Sequence, residues 1–254
     1  MGRCLVCRSL PGLCWKKSTQ RRYARKTIRT ARLASLPETA AQINHPFIAP
    51  LAFALQTPKG LQLYTPFVSG GYIFSHLQRP QRFAVDRARF YAAELLCALE
   101  YLHDIPTIAW LKPGNVLLDS LGHVTLCGFG LFTRHIRSED QATTPRRPEY
   151  PAPELLLDGR STSKAADWWT MGVFFYEMLT GLPPFYHGDT EEIRRNILGQ
   201  PLEFTESLPR SAVDILTKLL DRDPNTRLGP NNNNNNNDDD DEWELVYNNT
   251  SQTS

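Results

Sequence analysis

With 254 residues, 41% of them hydrophobic and 22% charged, the chain is long enough to bury a large core and has the makeup of an ordinary globular protein. A net charge of +1 argues against general affinity for nucleic acid, and no apolar run reaches the length that crosses a bilayer. Five cysteines, odd in number and scattered, do not make a disulfide framework; they point to a reducing compartment, and the expected location is cytoplasmic.

The first 22 residues carry no clear element. Their charge is one-sided, because ten Lys or Arg lie between Arg3 and Arg32 and the first carboxylate is Glu38. An Arg-rich, acid-free start has the composition of a transit peptide, yet most of these cations alternate with apolar residues as in a strand. Cys4-Leu5-Val6-Cys7 has the spacing of a zinc pair, but only Cys14 is near and no His accompanies it, so ordinary thiols are expected.

Tyr23-Ala24-Arg25-Lys26-Thr27-Ile28 alternates like a strand. Pro37-Glu38 suits a first helical turn, which predicts a short helix starting there. Leu51–Leu55 and Leu61–Tyr64 predict a hairpin across Gln56-Thr57-Pro58-Lys59-Gly60. From Asp86 to His103 the pattern is helical and apolar around most of the circumference, which predicts a buried helix. Leu111–Asp119 and Val124–Leu131 are two strand-like runs beside Gly- or Pro-containing turns, a hairpin that holds polar groups at its mouth. Arg134 to Arg147 is polar. Asp167-Trp168-Trp169-Thr170-Met171-Gly172-Val173 begins a second buried helix, which Gly181-Leu182-Pro183-Pro184 ends. Beyond Gly229 come seven Asn and then Asp238–Glu242, a stretch with no apolar content to fold around, so residues 230–254 are expected to be disordered.

Several of these runs resemble a protein kinase. They are Leu111-Lys112-Pro113-Gly114-Asn115, Phe129-Gly130, Glu149-Tyr150-Pro151-Ala152-Pro153-Glu154, the Asp167–Val173 run, Gly181–Tyr186 and Asp221–Gly229. Their wording is similar to the AGC group of Ser/Thr kinases, near its Akt, SGK and S6-kinase types, and the likeness runs from about Trp15 to Gly229. The resemblance implies an α+β, bilobal fold: a truncated, β-rich small lobe to about residue 66 and a large, mainly helical lobe from about residue 70. The kinase-like domain would then be 23–229, between an N-terminal segment 1–22 and the tail 230–254.

The resemblance also implies roles. Lys26 would reach the α- and β-phosphates of ATP, with a distorted or missing glutamate partner at Glu38. The carbonyl of Pro66 and both backbone groups of Val68 would face the adenine ring. Lys112 and Asn115 would be the surviving polar residues of the catalytic loop, Asp167 would hold that loop's backbone, and Glu154 would pair with Arg227.

Where the chain departs from the family, it loses chemistry. The family's His-Arg-Asp falls on Ile108-Ala109-Trp110, and its Asp-Phe-Gly on Gly128-Phe129-Gly130. Trp110 accepts no proton, and loss of a general base alone costs about 10²–10⁴ in rate. Gly128 has no side chain to hold magnesium, and the lone amide of Asn115 is a poor substitute. No phosphate-covering Gly-x-Gly-x-x-Gly turn can be identified. Gly114 and Tyr72 replace two glutamates that bind arginines of AGC substrates. The resulting expectation is a pseudokinase that works as a binding or regulatory module, with weak ATP binding and no use of Mg²⁺. Its partners would be proteins, kinases or kinase substrates, rather than nucleic acid or membrane. An active Ser/Thr kinase and a non-functional remnant of one are the alternatives.

Overall fold

The computed structural model describes residues 5–7, 12–16, 18–28, 43–58, 60–77, 82–105, 111, 113–127, 149–158, 164–204 and 208–229. They divide between two compact units, Met1–Gly71 with Asn115–Thr143, and Tyr72–Gly114 with Thr144–Ser254.

The first unit is built on five antiparallel strands, β1 (Leu5–Cys7), β2 (Leu13–Lys16), β3 (Arg22–Ile28), β4 (Phe53–Thr57) and β5 (Gly60–Pro66), in the order β1-β2-β3-β5-β4. The predicted strand at 23–28 is present as β3. Strands β1 and β2 lie in the stretch that carried no clear element. Three and four residues are too few for a periodicity to show, and pairing alone defines them, with Leu5 opposite Lys16 and Leu13 opposite Ala24. The β4–β5 connection is tighter than the predicted five-residue turn. Thr57 pairs directly with Gly60, its Oγ1 donates to the Gly60 carbonyl at 2.8 Å, and Gly60 takes φ 118°, which a residue with a Cβ adopts only under strain.

Alternation along the strands sets the core. Cys14, Tyr23 and Tyr64 are buried with Phe53 packed against them, the Phe53 ring lying 5.1 Å from Tyr23 and 4.5 Å from Tyr64. Leu61, Leu63 and Thr65 are buried on the other face of β5.

Two more strands, β6 (Val116–Leu118) and β7 (Val124–Leu126), form the expected hairpin. Chain segments from earlier in the unit close on both of its edges. On the β6 side the Gly70 N–H donates to the Leu118 carbonyl and the Leu118 N–H to the Gly71 carbonyl, each at 2.9 Å. On the β7 side the Leu126 N–H donates to the Phe47 carbonyl at 2.7 Å and the Ala49 N–H to the Leu126 carbonyl at 3.0 Å. Gly70 is required at this crossing, since a Cβ would collide with the carbonyl oxygens of Leu118 and Asp119.

The second unit is helical: α1 (Ile73–Leu77), α2 (Val85–Asp104), α3 (Pro153–Asp158), α4 (Lys164–Thr180), α5 (Thr190–Gly199) and α6 (Arg210–Leu219). Both predicted helices are there, as α2 and α4, but α2 buries only one side, ten of its 20 residues, and leaves Asp86, Arg87 and Phe90 exposed. Every residue from Ala166 to Leu179 is buried, so α4 is enclosed on all sides and forms the centre of this unit. Gly172 lets α6 approach, because a Cβ would lie 2.9 Å from that of Leu219. Asp189 caps α5, its Oδ1 accepting from the N–H groups of Glu191 and Glu192 at 2.8 and 3.1 Å. The Arg222 guanidinium donates to the carbonyl of Ile197 near the other end of that helix and lies 5.4 Å from the Phe185 ring. No helix among the described residues is long and apolar enough to cross a membrane.

Candidate functional site

Lys26 sits on β3 opposite Leu63. It shares a face with Ala24 by alternation, and its side chain is exposed. Pro66 closes the β3–β5 ladder opposite Tyr23, and the Phe67 N–H donates to the Arg22 carbonyl at 3.2 Å. The next residue, Val68, is half-buried, and its N–H and carbonyl make no hydrogen bond among the described residues. The segment then runs to Gly70 and Gly71, which fasten it to β6. A free donor and acceptor on one residue, held between two fixed points, suits the edge of a purine ring.

Asn115 ends a single turn of 3₁₀ helix, Pro113–Asn115, directly before β6. Its carbonyl accepts from the Cys127 N–H at 2.6 Å, which ties the start of β6 to the end of β7. Lys26, Pro66, Val68 and Asn115 thus all belong to the sheet-bearing unit. Trp110, Lys112 and Gly128 lie outside the described residues, as do Glu38, the polar stretch 134–147 and the tail. Gly114 is exposed, with open space where a Cβ would stand, and Tyr72 is exposed as well.

The carboxylates of the sheet unit are few. Asp119 is the only one among its described residues, and it is engaged at the β6–β7 turn, where Oδ1 accepts from the N–H groups of Leu121 and His123 at 2.8 and 2.9 Å. Among the described residues of the whole chain, no cluster of three or more His, Cys, Asp or Glu is placed to hold a metal.

Cys127 stands immediately before Gly128, and burial pushes its thiol up to about 12. The thiolate is the nucleophile, so near neutral pH the reactive form of the half-buried Cys127 is scarcer than in an ordinary cysteine. Iodoacetamide labelling of the folded chain, mapped by mass spectrometry, is expected to spare Cys127 until denaturant is added. Equal labelling in both states would show that the β7 end is open in solution.

The helical unit holds its polar groups in buried pairs. Arg227 and Glu154 form the expected ion pair as a two-pronged contact, Nη1 to Oε1 at 2.8 Å and Nη2 to Oε2 at 2.9 Å. Asp167 meets the loop backbone as expected, with the Leu111 N–H donating to its Oδ1 at 3.4 Å. Its other oxygen contacts His103 Nε2 at 3.0 Å, both side chains being buried. Among the described residues, His103 Nδ1 has no hydrogen-bond partner. Sequence reasoning missed His103, and it missed the buried hydrogen bond from the Tyr150 hydroxyl to Glu177 Oε2. The available signal was a His and a Glu beside apolar runs of two helices, where a polar side chain that is buried must find a partner.

Residues 12–237 match the protein kinase domain. Over 229 residues the chain is 54% identical to the serine/threonine protein kinase ypkA of Aspergillus fumigatus, covering 85% of this chain and 36% of that one. It is 47% identical over 227 residues to the serine/threonine-protein kinase YPK1 of Saccharomyces cerevisiae, covering 85% and 33%. It is 46% identical over 189 residues to the serine/threonine-protein kinase Sgk2 of Homo sapiens, covering 74% and 51%. The chain therefore spans about a third of the fungal relatives and about half of the human one. With a strand-rich unit and a helical unit, and kinase wording from β2 to Gly229, the chain belongs to the protein kinase domain family, among relatives named as serine/threonine kinases of the AGC group.

Proposed function

We propose that this chain is a catalytically impaired kinase domain that acts as a protein-binding or regulatory module in the cytoplasm and retains weak nucleotide affinity. The observation that carries the reading is the missing carboxylates. Phosphoryl transfer requires a residue that accepts the hydroxyl proton and ligands that hold Mg²⁺ at the phosphates. Trp110 and Gly128 stand at those two positions, and Asp119, the sole described carboxylate of the sheet unit, is held by its own turn.

The residues fit the two parts of Mg·ATP unequally. Adenine is suited by the backbone groups of Val68 beside Pro66, and the phosphates by the ammonium of Lys26. Magnesium is not suited, because it prefers carboxylate oxygens and Asn115 offers one neutral amide. ATP when bound brings the phosphoryl group itself. This chain's contribution is to seat the base and balance part of the charge.

Thermal denaturation with ATP tests the reading. Stabilisation is expected only at about millimolar nucleotide and to the same extent with and without Mg²⁺. A Mg²⁺-dependent gain in affinity would overturn it, because a metal ligand would then be present. The 54% identity to a named serine/threonine kinase favours a second reading, an active enzyme with substituted residues. Transfer of labelled phosphate from ATP to a basic peptide would establish that one instead.

A further inference from the structure

Charge in this chain is divided by position. Ten of its 28 Lys and Arg precede Glu38, the first of its 27 carboxylates. The sheet unit is consequently short of counterions, with Asp119 its only described carboxylate and Asp119 already engaged. The β2–β3 hairpin concentrates the imbalance. The Lys16 N–H donates to the Arg21 carbonyl at 3.0 Å and the Gln20 N–H to the Lys16 carbonyl at 2.8 Å, which closes the hairpin end and gathers Lys16, Arg21 and Arg22 around Ser18, Thr19 and Gln20. Arg21 and Arg22 are exposed and Lys16 is half-buried, and the side chains of these three make no ion pair or hydrogen bond among the described residues.

Alternation decides how these cations are presented. Arg22 pairs with Trp15 and shares its face, while Lys16 and Arg21 fall on the face of Cys14 and Tyr23. Positive charge therefore flanks the hairpin end on two sides. A plane of lipid headgroups meets one side only, and the tip residues Ser18, Thr19 and Gln20 supply no apolar anchor for a bilayer. A flexible, acidic polypeptide can lie along both sides.

We propose that the β2–β3 hairpin end is a docking surface for an acidic polypeptide, and that its occupant is the run Asp238-Asp239-Asp240-Asp241-Glu242-Trp243-Glu244 of a second copy of this chain. That run carries six carboxylates in seven residues, opposite in charge to the three hairpin cations that make no ion pair among the described residues.

The test uses the full chain with its own run neutralised, the aspartates changed to Asn and the glutamates to Gln. It is titrated into a fluorescent peptide spanning Asn236–Tyr247, and binding is followed by anisotropy. Binding is expected to weaken about tenfold as salt rises from about 50 to about 200 mM. It is expected to weaken at least about tenfold in the Lys16→Ser, Arg21→Ser, Arg22→Ser variant, with little loss when exposed Arg195 and half-buried Lys218 of the other unit, each already paired with a carboxylate, become Ser. Circular dichroism melting of each variant checks the fold, and Arg21→Ser alone, expected to give an intermediate loss, serves if the triple variant melts early. Sedimentation of the unaltered chain is expected to show self-association that disappears in high salt. The proposal is overturned by peptide binding that ignores salt or the hairpin substitutions, by a chain that stays monomeric at every salt concentration, or by phosphatidylserine vesicles or an oligoribonucleotide outcompeting the peptide at the hairpin.

Discussion

Arg227→Ala is expected to lower the unfolding free energy by about 3–5 kcal/mol, the cost of stranding one member of a buried ion pair. The Arg227 side chain is fully enclosed, and every donor it carries is used. Two reach Glu154, while the rest go to the carbonyls of Ala165, Asp221 and Arg222. Its guanidinium also lies 5.2 Å from the Trp169 ring. Truncation would leave the Glu154 carboxylate, half of an ion pair, in the interior with no cation, and would strip three carbonyls of a donor. Urea denaturation of the parent, Arg227→Ala, Glu154→Ala and the double variant separates these parts. The double variant should be less destabilised than the sum of the singles, because the removed charges no longer leave each other unpaired. A parent-like Arg227→Ala would show that the pair does not form in solution.

Asp167→Ala is expected to cost about 3 kcal/mol, because it removes the acceptor of two buried donors and each orphan costs about 1–3 kcal/mol. One is on the His103 ring, whose Nε2 lies 3.0 Å from Asp167 Oδ2 and whose Nδ1 has no partner among the described residues. The other is the Leu111 N–H, at the entry to the segment that carries Asn115. Asp167→Asn keeps a carbonyl oxygen for one of the two and should cost about 1 kcal/mol less than the alanine. The cycle with His103→Ala is expected to show coupling of about 1–2 kcal/mol. Additive losses in that cycle would mean that the two side chains do not interact in the folded chain.

Both effects come from residues far apart in sequence, and they mark the limit of what the sequence carries. Local order was legible. Alternation from Tyr23 to Ile28 predicted β3, the apolar circumference of Asp86–His103 predicted α2, and the strand-like runs Leu111–Asp119 and Val124–Leu131 beside Gly- or Pro-containing turns predicted the β6–β7 hairpin. These signals are short-range, because a strand or helix repeats its buried side every two or every three to four residues. Motif wording gave the family and named the Glu154–Arg227 pair. The proposed loss of two aspartates at Trp110 and Gly128 rests on the sequence alone, and both positions lie outside the described residues.

Tertiary structure decided the rest. Strands of three and four residues, β1 and β2, exist through pairing and leave no periodicity to detect. The turn at Thr57–Gly60 tightened because a side-chain hydrogen bond and a positive φ favour it over a longer loop. The contacts of Gly70 with Leu118 and of Phe47 with Leu126 join segments separated by dozens of residues, and only the folded chain shows why Gly70 admits no side chain there. His103 meets Asp167 across 64 residues, and Tyr150 meets Glu177 across 27, because two buried helix faces and one loop converge. A sequence shows that a polar residue has been placed where water will be excluded; which partner then satisfies it depends on how the elements pack, and that is settled only when the chain closes on itself.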